Sequence, residues 1–421
     1  MSDPSRRLAR RLTTADAVVI GLGAMIGAGV FAAPGPAAAA AGSWLLLSLA
    51  IAAVVAYANA TSSAQLAALY PEAGGTYVYA RARLGNYWGF LAGWSFVVGK
   101  TASLAAMALT FGAYVSEDLA RPLGIAAVVG MAAVNYLGVK KTARLTRIIV
   151  ALVLAALAMV VTGTLLGGEA ATANLDLALP GGPWGILQGA GLLFFAFAGY
   201  ARLATLGEEV KDPTTTIPRA IPIALGIVVT IYAVVLGSVL LAIGPQQMAD
   251  SSAPLADAVA TGSWARLTPA VRAGAAVAAG GVLLSLLAGI SRTTLSMARR
   301  RELPGFLDAI HPTHRTPHRA EVTVAGLVSV IVLVADLRGA IGFSSFAVLT
   351  YYALANASAW RLSAAERRWP RWLAALGVAL CILLAFTLPV IAVIGGLTLL
   401  AVGSLTWLIA RHRPGGTGVQ V

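Results

Sequence analysis

The sequence predicts an all-α membrane protein with twelve transmembrane helices. Hydrophobic residues occupy 58% of the 421 positions, charged residues only 11%, and the mean hydropathy is +0.82. The charged residues separate apolar runs of about 20 residues, the length that a helix needs to cross the hydrocarbon core of a bilayer. This composition excludes a soluble globular protein.

Twelve apolar runs can be separated by the polar residues and prolines between them. They cover about residues 15–40, 43–68, 88–115, 122–138, 147–167, 184–205, 219–243, 270–297, 321–337, 340–360, 370–388 and 389–410. The boundary between the last two depends mainly on Pro389, because proline removes a backbone donor and disrupts a helix.

The positive charges are distributed asymmetrically between alternate loops. Of the 30 Lys and Arg residues, most fall in segments on one side, whereas the outer loops carry only Arg121, Arg266, Arg272 and Arg338. By the positive-inside rule, both termini are expected in the cytoplasm of a multi-pass plasma-membrane protein. The net charge of +13 therefore reflects topology and does not indicate a nucleic-acid partner. Cys381 is the single cysteine, so an intramolecular disulfide is excluded.

Three glycines interrupt the first apolar run, at Gly23, Gly27 and Gly29. A glycine in a helix interior costs about 1 kcal/mol relative to alanine. Backbone groups that lose their helical partners in a bilayer cost several kcal/mol more. Membrane proteins tolerate such a break where the freed groups hold a ligand or line a cavity, so the run predicts a binding site. The alternative is that the glycines only allow close helix packing.

A second interruption, at Gly199 and Arg202, lies in the sixth apolar run. If residues 15–167 and 184–360 form two units of five spans each, both interruptions fall in the first helix of a unit. An odd number of spans gives the two units opposite orientations, and the site then lies between the two broken helices. Residues 1–14 form the N-terminus in this arrangement, and residues 361–421 supply two peripheral helices and the C-terminus.

Four segments resemble the amino acid–polyamine–organocation (APC) superfamily of transporters. They are residues 23–31, 71–79, 194–219 and 291–299, and they occur in the order and at the spacing of that family. The resemblance implies a five-plus-five inverted repeat with broken helices 1 and 6, plus two peripheral helices. It also implies an α-amino acid substrate that is moved by alternating access.

The resemblance places the substrate on backbone groups at the two interruptions. The carboxylate would meet N–H groups near Ala28 and Gly29, and the ammonium would meet carbonyls near Met25, Phe195 and Ala198. Phe31 and Phe195 are candidate gates. The full set of expected substrate-binding residues is Met25, Ile26, Gly27, Ala28, Gly29, Phe31, Phe195, Phe197, Ala198 and Gly199.

The sequence departs from the family pattern where coupling residues are expected. Many relatives carry an acidic residue where this chain has Ala201 followed by Arg202, and residues 148–160 lack the lysine that replaces a sodium ion in some relatives. The candidates for coupling or gating are therefore residues of this chain itself: Lys100, Arg202 and Ser285. Because Ser285 is the one hydroxyl residue of mid-helix 8, sodium coupling is disfavoured.

Lys100 lies in the middle of the third apolar run. A charge at the bilayer centre costs about 3 kcal/mol or more, and such a residue is functional by default. No acidic residue lies in the interior of an apolar run, and burial disfavours the charged form of lysine. Three hypotheses remain open: a titrating proton carrier, a tie to the backbone carbonyls of a broken helix, and a direct substrate contact.

These features predict a secondary active transporter of a neutral amino acid, coupled to protons. The alternatives are an amino acid exchanger, a basic amino acid or polyamine permease, and a non-transporting membrane sensor. An enzyme is not expected, nor are a cofactor, a metal or an accessory subunit; the expected partners are the amino acid, membrane lipid and protons. His311, His314 and His318 are interrupted by Pro312 and Pro317, which favours a basic loop near lipid headgroups over a metal site.

Overall fold

The structure is a computed structural model that describes residues 12–27, 29–70, 74–138, 143–200, 203 and 210–412. Within these ranges the regular secondary structure is helical, and one isolated bridge joins Leu12 to Val210.

The first half of the chain contains eight described helices. They are α1 Thr14–Met25, α2 Gly29–Ala32, α3 Pro34–Ala41, α4 Leu45–Leu69, α5 Thr76–Leu84, α6 Asn86–Val115, α7 Ala120–Tyr136 and α8 Ala143–Leu165. The second half contains another eight. They are α9 Gly182–Phe197, α10 Pro213–Asp250, α11 Pro254–Ala260, α12 Thr268–Arg299, α13 His318–Val334, α14 Leu337–Trp360, α15 Arg371–Thr387 and α16 Val390–His412.

Helices lie at all twelve positions where the sequence predicts membrane spans. In the described part of the chain, nine helical segments are long and apolar enough to cross a membrane. The fourth, ninth and eleventh positions are occupied by α7, α13 and α15, which have 17 residues each. The all-helical architecture is thus confirmed, while the count of twelve spans stays a prediction.

Most helix boundaries lie close to the expected ones, but α10, Pro213–Asp250, extends past both ends of the predicted seventh span, residues 219–243. The break at Pro389 is confirmed, since α15 ends at Thr387 and α16 begins at Val390. The helix α5 was not predicted, because its segment between the second and third spans is polar, and neither was α11. Glu321, the first residue of the predicted ninth span, lies in the first turn of α13 and is only 2% exposed, so this acidic side chain is buried among the helices.

Among the nine long apolar segments of the described chain, α6 is the most buried, and it packs against α12 and α14. It is rich in Gly and Ala, and Gly99 lies directly against Ala347 of α14. Small residues let helices approach closely where the hydrophobic effect cannot drive them together. By contrast, α16 is largely exposed, as the prediction of peripheral last helices requires.

The helix packing is reciprocal between the two halves. The first span, α1, packs against the seventh, α10, while the sixth, α9, packs against the second, α4. The third span, α6, packs against the tenth, α14, while the eighth, α12, packs against the fifth, α8. Such an exchange of partners agrees with two units of five spans, although the inverted repeat and its boundaries remain predictions.

Candidate substrate site

The first interruption lies where the glycines predict it. Helix α1 ends at Met25, Ile26 and Gly27 form a bend, and α2 begins at Gly29; Ala28 lies outside the described residues. The Ile26 N–H donates to the Leu22 carbonyl at 2.7 Å and closes the last turn of α1. The carbonyl of Met25 is therefore left without a helical partner.

The segment that follows the first interruption acts as one helix. Ala33, between α2 and α3, has helical torsion angles (φ −79°, ψ −23°), and its N–H donates to the Gly29 carbonyl at 3.0 Å. Residues 29–41 therefore present their first N–H groups, and the positive end of their dipole, at the break.

The second interruption also lies at the predicted position. Helix α9 ends at Phe197 and continues as a single 3₁₀ turn over Ala198–Tyr200. A switch from α to 3₁₀ hydrogen bonding frees carbonyl groups near the end of the helix. Arg202, the third candidate for coupling or gating, lies outside the described residues.

The two interruptions touch through their backbones. A Cβ built on Gly29 would lie 2.6 Å from the Cα of Ala196, so only glycine allows α2 to meet α9 at this distance. In the same way, a Cβ on Gly199 would overlap the carbonyl of Ala24 and lie 2.8 Å from the Met25 nitrogen. The predicted residues Met25, Gly29 and Gly199 are thus brought together.

A tyrosine hydroxyl joins the two interruptions. The hydroxyl of Tyr232, on α10, donates to the Met25 carbonyl at 2.6 Å and lies 3.1 Å from the carbonyl of Ala196. Tyr232 is 1% exposed, and its ring packs on that of Phe197 with centroids 5.2 Å apart. Sequence reasoning missed this residue, although a tyrosine in an apolar run signals a buried hydroxyl that needs a partner.

Lys100 reaches the second interruption. Its Nζ donates to the Ala198 carbonyl at 3.5 Å, and the hydroxyl of Tyr352 donates to the same oxygen at 3.4 Å. Lys100 is 7% exposed. Its ammonium lies at the C-terminal end of α9, where the helix dipole favours a positive charge. This contact is the one that a tie to a broken helix requires, and the proton-carrier hypothesis makes use of the same contact.

We call the contact between the two interruptions, at Met25, Gly29, Ala196 and Gly199, the junction. The remaining expected residues lie at varying distances from it. Phe31 packs edge-on against Tyr114 with centroids 5.5 Å apart, and Phe195 is 6% exposed on α9. Ile26 and Gly27 line a cavity with α8 and α12 of about 10 Å³, enough for a single water molecule. Ser285 is exposed, and its hydroxyl donates to the Gly281 carbonyl of its own helix at 2.8 Å.

The family model for amino acid permeases matches residues 12–409. The chain belongs to the amino acid permease family. An uncharacterized transporter of Mycobacterium tuberculosis is 57% identical over 404 residues, covering 96% of this permease and 92% of that protein. The branched-chain amino acid permease BcaP of Bacillus subtilis is 27% identical, covering 75% and 72% of the two chains. Cationic amino acid transporter 7 of Arabidopsis thaliana is 26% identical, covering 84% and 66%.

The APC resemblance is thereby confirmed at the level of the family. The permease is a multi-pass membrane protein of the amino acid transporter class, and this class is one of transporters and not of enzymes. The relatives do not fix the substrate, because their names refer to both branched-chain and cationic amino acids.

The junction of the permease offers the two kinds of group that a zwitterion needs. The freed carbonyls of Met25, Ala196 and Ala198 are acceptors, and each carbonyl oxygen has two lone pairs. The N–H groups at the start of residues 29–41 are donors at the positive end of a helix dipole. An ammonium and a carboxylate of one small molecule can therefore be bound by backbone groups alone.

A second set of contacts ties the loops on one side of the permease to its buried helices. Glu302, just after α12, accepts hydrogen bonds from Tyr77 at 2.7 Å and from Arg81, both on α5. Arg83 of α5 contacts Glu366 at 2.5 Å, and its hydrogen bond lowers the pKa of Glu366 to about 2. Helix α5 thus links the end of α12 to the loop between α14 and α15.

Proposed function

We propose that the permease is a secondary active transporter that carries a neutral amino acid across the plasma membrane by alternating access. The observation that carries this proposal is the contact between the two interrupted helices, where Tyr232 and Lys100 hold the freed carbonyls of Met25 and Ala198. Discontinuous helices that meet at mid-membrane are typical of substrate sites in transporters with repeated units.

The charge at the junction favours a substrate whose side chain is neutral. Among the described residues that contact the freed carbonyls, the one charged group is Lys100, which would repel a cationic substrate. The buried Glu321 lies on α13, near Asn135 of α7 and Arg292 of α12, and not at the junction. The name of the branched-chain permease of Bacillus subtilis supports the same substrate class.

A cationic amino acid is the second candidate substrate. Three relatives from Arabidopsis thaliana are named cationic amino acid transporters and match 80–84% of this chain, one of them at 26% identity over 388 residues. Carbonyl oxygens at the junction would then have to receive the extra positive charge next to Lys100. We rank this substrate second because that arrangement places two like charges close together.

Coupling to protons is proposed for Lys100. The side chain is buried, its partner is a neutral carbonyl, and its hydrogen bond at 3.5 Å is long. Burial without a counter-charge is the setting in which a lysine can act as a proton carrier. Release of the proton would weaken the contact with Ala198 and allow α9 to move.

Alternating access requires that α1 and α9 move against the other helices. The cavity beside Gly27, between α1, α8 and α12, holds about 10 Å³, far less than an amino acid needs. We propose that α6 and α12, anchored by Glu302 and α5, form the static part. The positive-inside distribution supports cytoplasmic termini.

Uptake into proteoliposomes tests this function. The purified permease would be offered a panel of labelled amino acids with and without an inward proton gradient, a sodium gradient and unlabelled internal amino acid. We expect uptake of a neutral amino acid that the proton gradient increases and sodium does not. Uptake only against internal amino acid would identify an exchanger, preference for arginine would favour the cationic substrate, and binding without any flux would contradict transport.

A further inference from the structure

A large apolar groove lies away from the junction, between α6, α12, α13 and α14. Its volume is about 490 Å³, close to that of small-molecule sites in general. It is lined on one side by Val97, Val98 and Ala102 of α6, and on the other by Leu327 and Ile331 of α13. Leu327 is 54% exposed, so the groove opens on the outer surface of the helix bundle.

The groove has the length of one lipid acyl chain. Its lining residues on the α13 side run from Thr323 to Ala335, which corresponds to about 18 Å at 1.5 Å per residue. Half of a bilayer hydrocarbon core is about 15 Å thick. Helix α13 also exposes Val330 and Val334 beside the groove, so its surroundings in the membrane are lipid.

One polar group in the groove lacks a partner. Thr294, on α12, is 4% exposed, lines the groove, and its hydroxyl has no hydrogen-bond partner among the described residues. Its neighbours Ser291 and Thr293 donate to carbonyls four residues earlier in α12, at 2.9 and 3.2 Å. A buried hydroxyl without a partner costs about 1–3 kcal/mol, which indicates an acceptor that occupies the groove.

The position of Thr294 matches the ester region of a lipid. It lies five residues from the end of α12 at Arg299, or about 7.5 Å along the helix axis. Leu303 and Leu307, in the following segment, close the same end of the groove, and the neighbouring Phe306 is 53% exposed. An exposed aromatic residue beside apolar lining residues is typical of a segment at the membrane interface.

Two exposed arginines lie at the same end of the groove. Arg301 precedes the lining residue Leu303 by two positions. Arg319 lies in the first turn of α13, four residues before Thr323, and residues at this spacing share one face of a helix. Basic residues at a membrane surface attract anionic lipid headgroups.

We propose that this groove binds one acyl chain of an anionic phospholipid from the leaflet on the side of Arg301 and Arg319. The hydroxyl of Thr294 donates to an ester carbonyl, and the two arginines face the phosphate. This site is independent of the substrate and of the coupling ion.

Lipid binding to the full-length, delipidated permease in detergent tests the proposal. Native mass spectrometry would measure binding of phosphatidylglycerol and of phosphatidylcholine with identical acyl chains. We expect one saturable phosphatidylglycerol that binds more tightly than phosphatidylcholine. Leu327→Trp should abolish it by filling the groove, whereas Val330→Trp, an exposed position of α13 outside the lining, should retain it.

Two milder changes address the polar contacts without filling the groove. Thr294→Val keeps the shape and should weaken phosphatidylglycerol binding about fivefold. Arg319→Gln should weaken it and reduce the preference over phosphatidylcholine, whereas Arg338→Gln, in the first turn of α14 at the opposite end of the groove, should do neither. Equal binding of the two lipids, or equal losses in Leu327→Trp and Val330→Trp, would overturn the proposal. Thermal unfolding of each variant verifies that it is folded.

Discussion

Gly199 packs against the backbone of Ala24, so that the turn after α9 rests directly on the last turn of α1. No Cβ at position 199 fits between the two backbone segments, because it would overlap the Ala24 carbonyl. The helix interruptions of the two halves therefore form one structural unit, and a displacement of either one must displace the other.

Gly199→Ala should therefore abolish most of the transport. The new methyl group forces the turn away from α1, and overpacking of this kind costs about 1–3 kcal/mol. Uptake should fall by about tenfold or more, which corresponds to a change of 1.4 kcal/mol. Gly226→Ala, in the exposed part of α10 where a Cβ meets no atom within 4 Å, is the control and should keep normal uptake. Full activity of Gly199→Ala would show that the contact is dispensable.

Tyr232→Phe tests the hydroxyl that joins the two interruptions. The change leaves the carbonyls of Met25 and Ala196 buried without this donor, at a cost of about 1–3 kcal/mol. We expect a lower melting temperature and a higher KM for the substrate. Tyr57→Phe removes a hydroxyl from a side chain that is 42% exposed, and it should change neither quantity. An unchanged KM in Tyr232→Phe would argue against a role at the substrate site.

Lys100→Met separates the hypotheses for the buried lysine. If Lys100 carries the proton, the variant should still exchange internal for external amino acid but should lose stimulation by a proton gradient. If Lys100 only ties Ala198 in place, exchange and gradient-driven uptake should fall together with the melting temperature. Lys211→Met, at an exposed position before α10, is the control. Gradient-driven uptake at the native rate would exclude both roles.

Glu302→Gln tests the anchoring of α12 by α5. The side chains of Arg81 and Glu302 are only 19% and 12% exposed, so loss of the charge leaves a partly buried arginine without its counter-charge. The melting temperature and the maximal uptake rate should both fall, while KM stays constant. Asp308→Asn breaks the more exposed pair with Arg299 and should have little effect, since such pairs contribute about 0–1 kcal/mol. A selective change in KM would contradict a purely anchoring role.

The contact between Arg83 and Glu366 should make the thermal stability of the permease depend on pH. Hydrogen bonds from Arg83 and Ser363 lower the pKa of Glu366 from 4.5 to about 2 in the folded protein. The contact therefore stabilises the fold above about pH 4.5, and this stabilisation is lost as the pH falls towards 2. The difference in melting temperature between wild type and Glu366→Gln should be constant from pH 8 to 5 and shrink below pH 4.5. A difference that grows on acidification would contradict the assignment.

The interruptions and the buried lysine could be predicted from the sequence because each breaks a local rule. Glycine at positions 27, 29 and 199 is costly in a membrane helix, and so is a charge at position 100. Such costs are visible without any knowledge of tertiary structure. The existence of helices at the twelve expected positions follows equally from the lengths of the apolar runs.

The partners of the freed carbonyls could not be predicted in this way. Tyr232 and Tyr352 lie in apolar runs where an aromatic residue is compatible with ordinary packing, and their contacts join helices far apart in sequence. The burial of Glu321 depends in the same way on how α7, α12 and α13 meet. Helix α5 lies in a polar segment whose sequence lacks a clear apolar face.

Competition between labelled leucine and its analogues in proteoliposomes tests the central claim most directly. If backbone groups at the junction hold both the carboxylate and the ammonium, unlabelled leucine should inhibit uptake. Leucinamide, which lacks the carboxylate, and N-acetylleucine, which lacks the ammonium, should each inhibit about 100-fold more weakly, as expected when a charge-assisted contact is lost. Inhibition by either analogue as strong as that by leucine would contradict the proposed site.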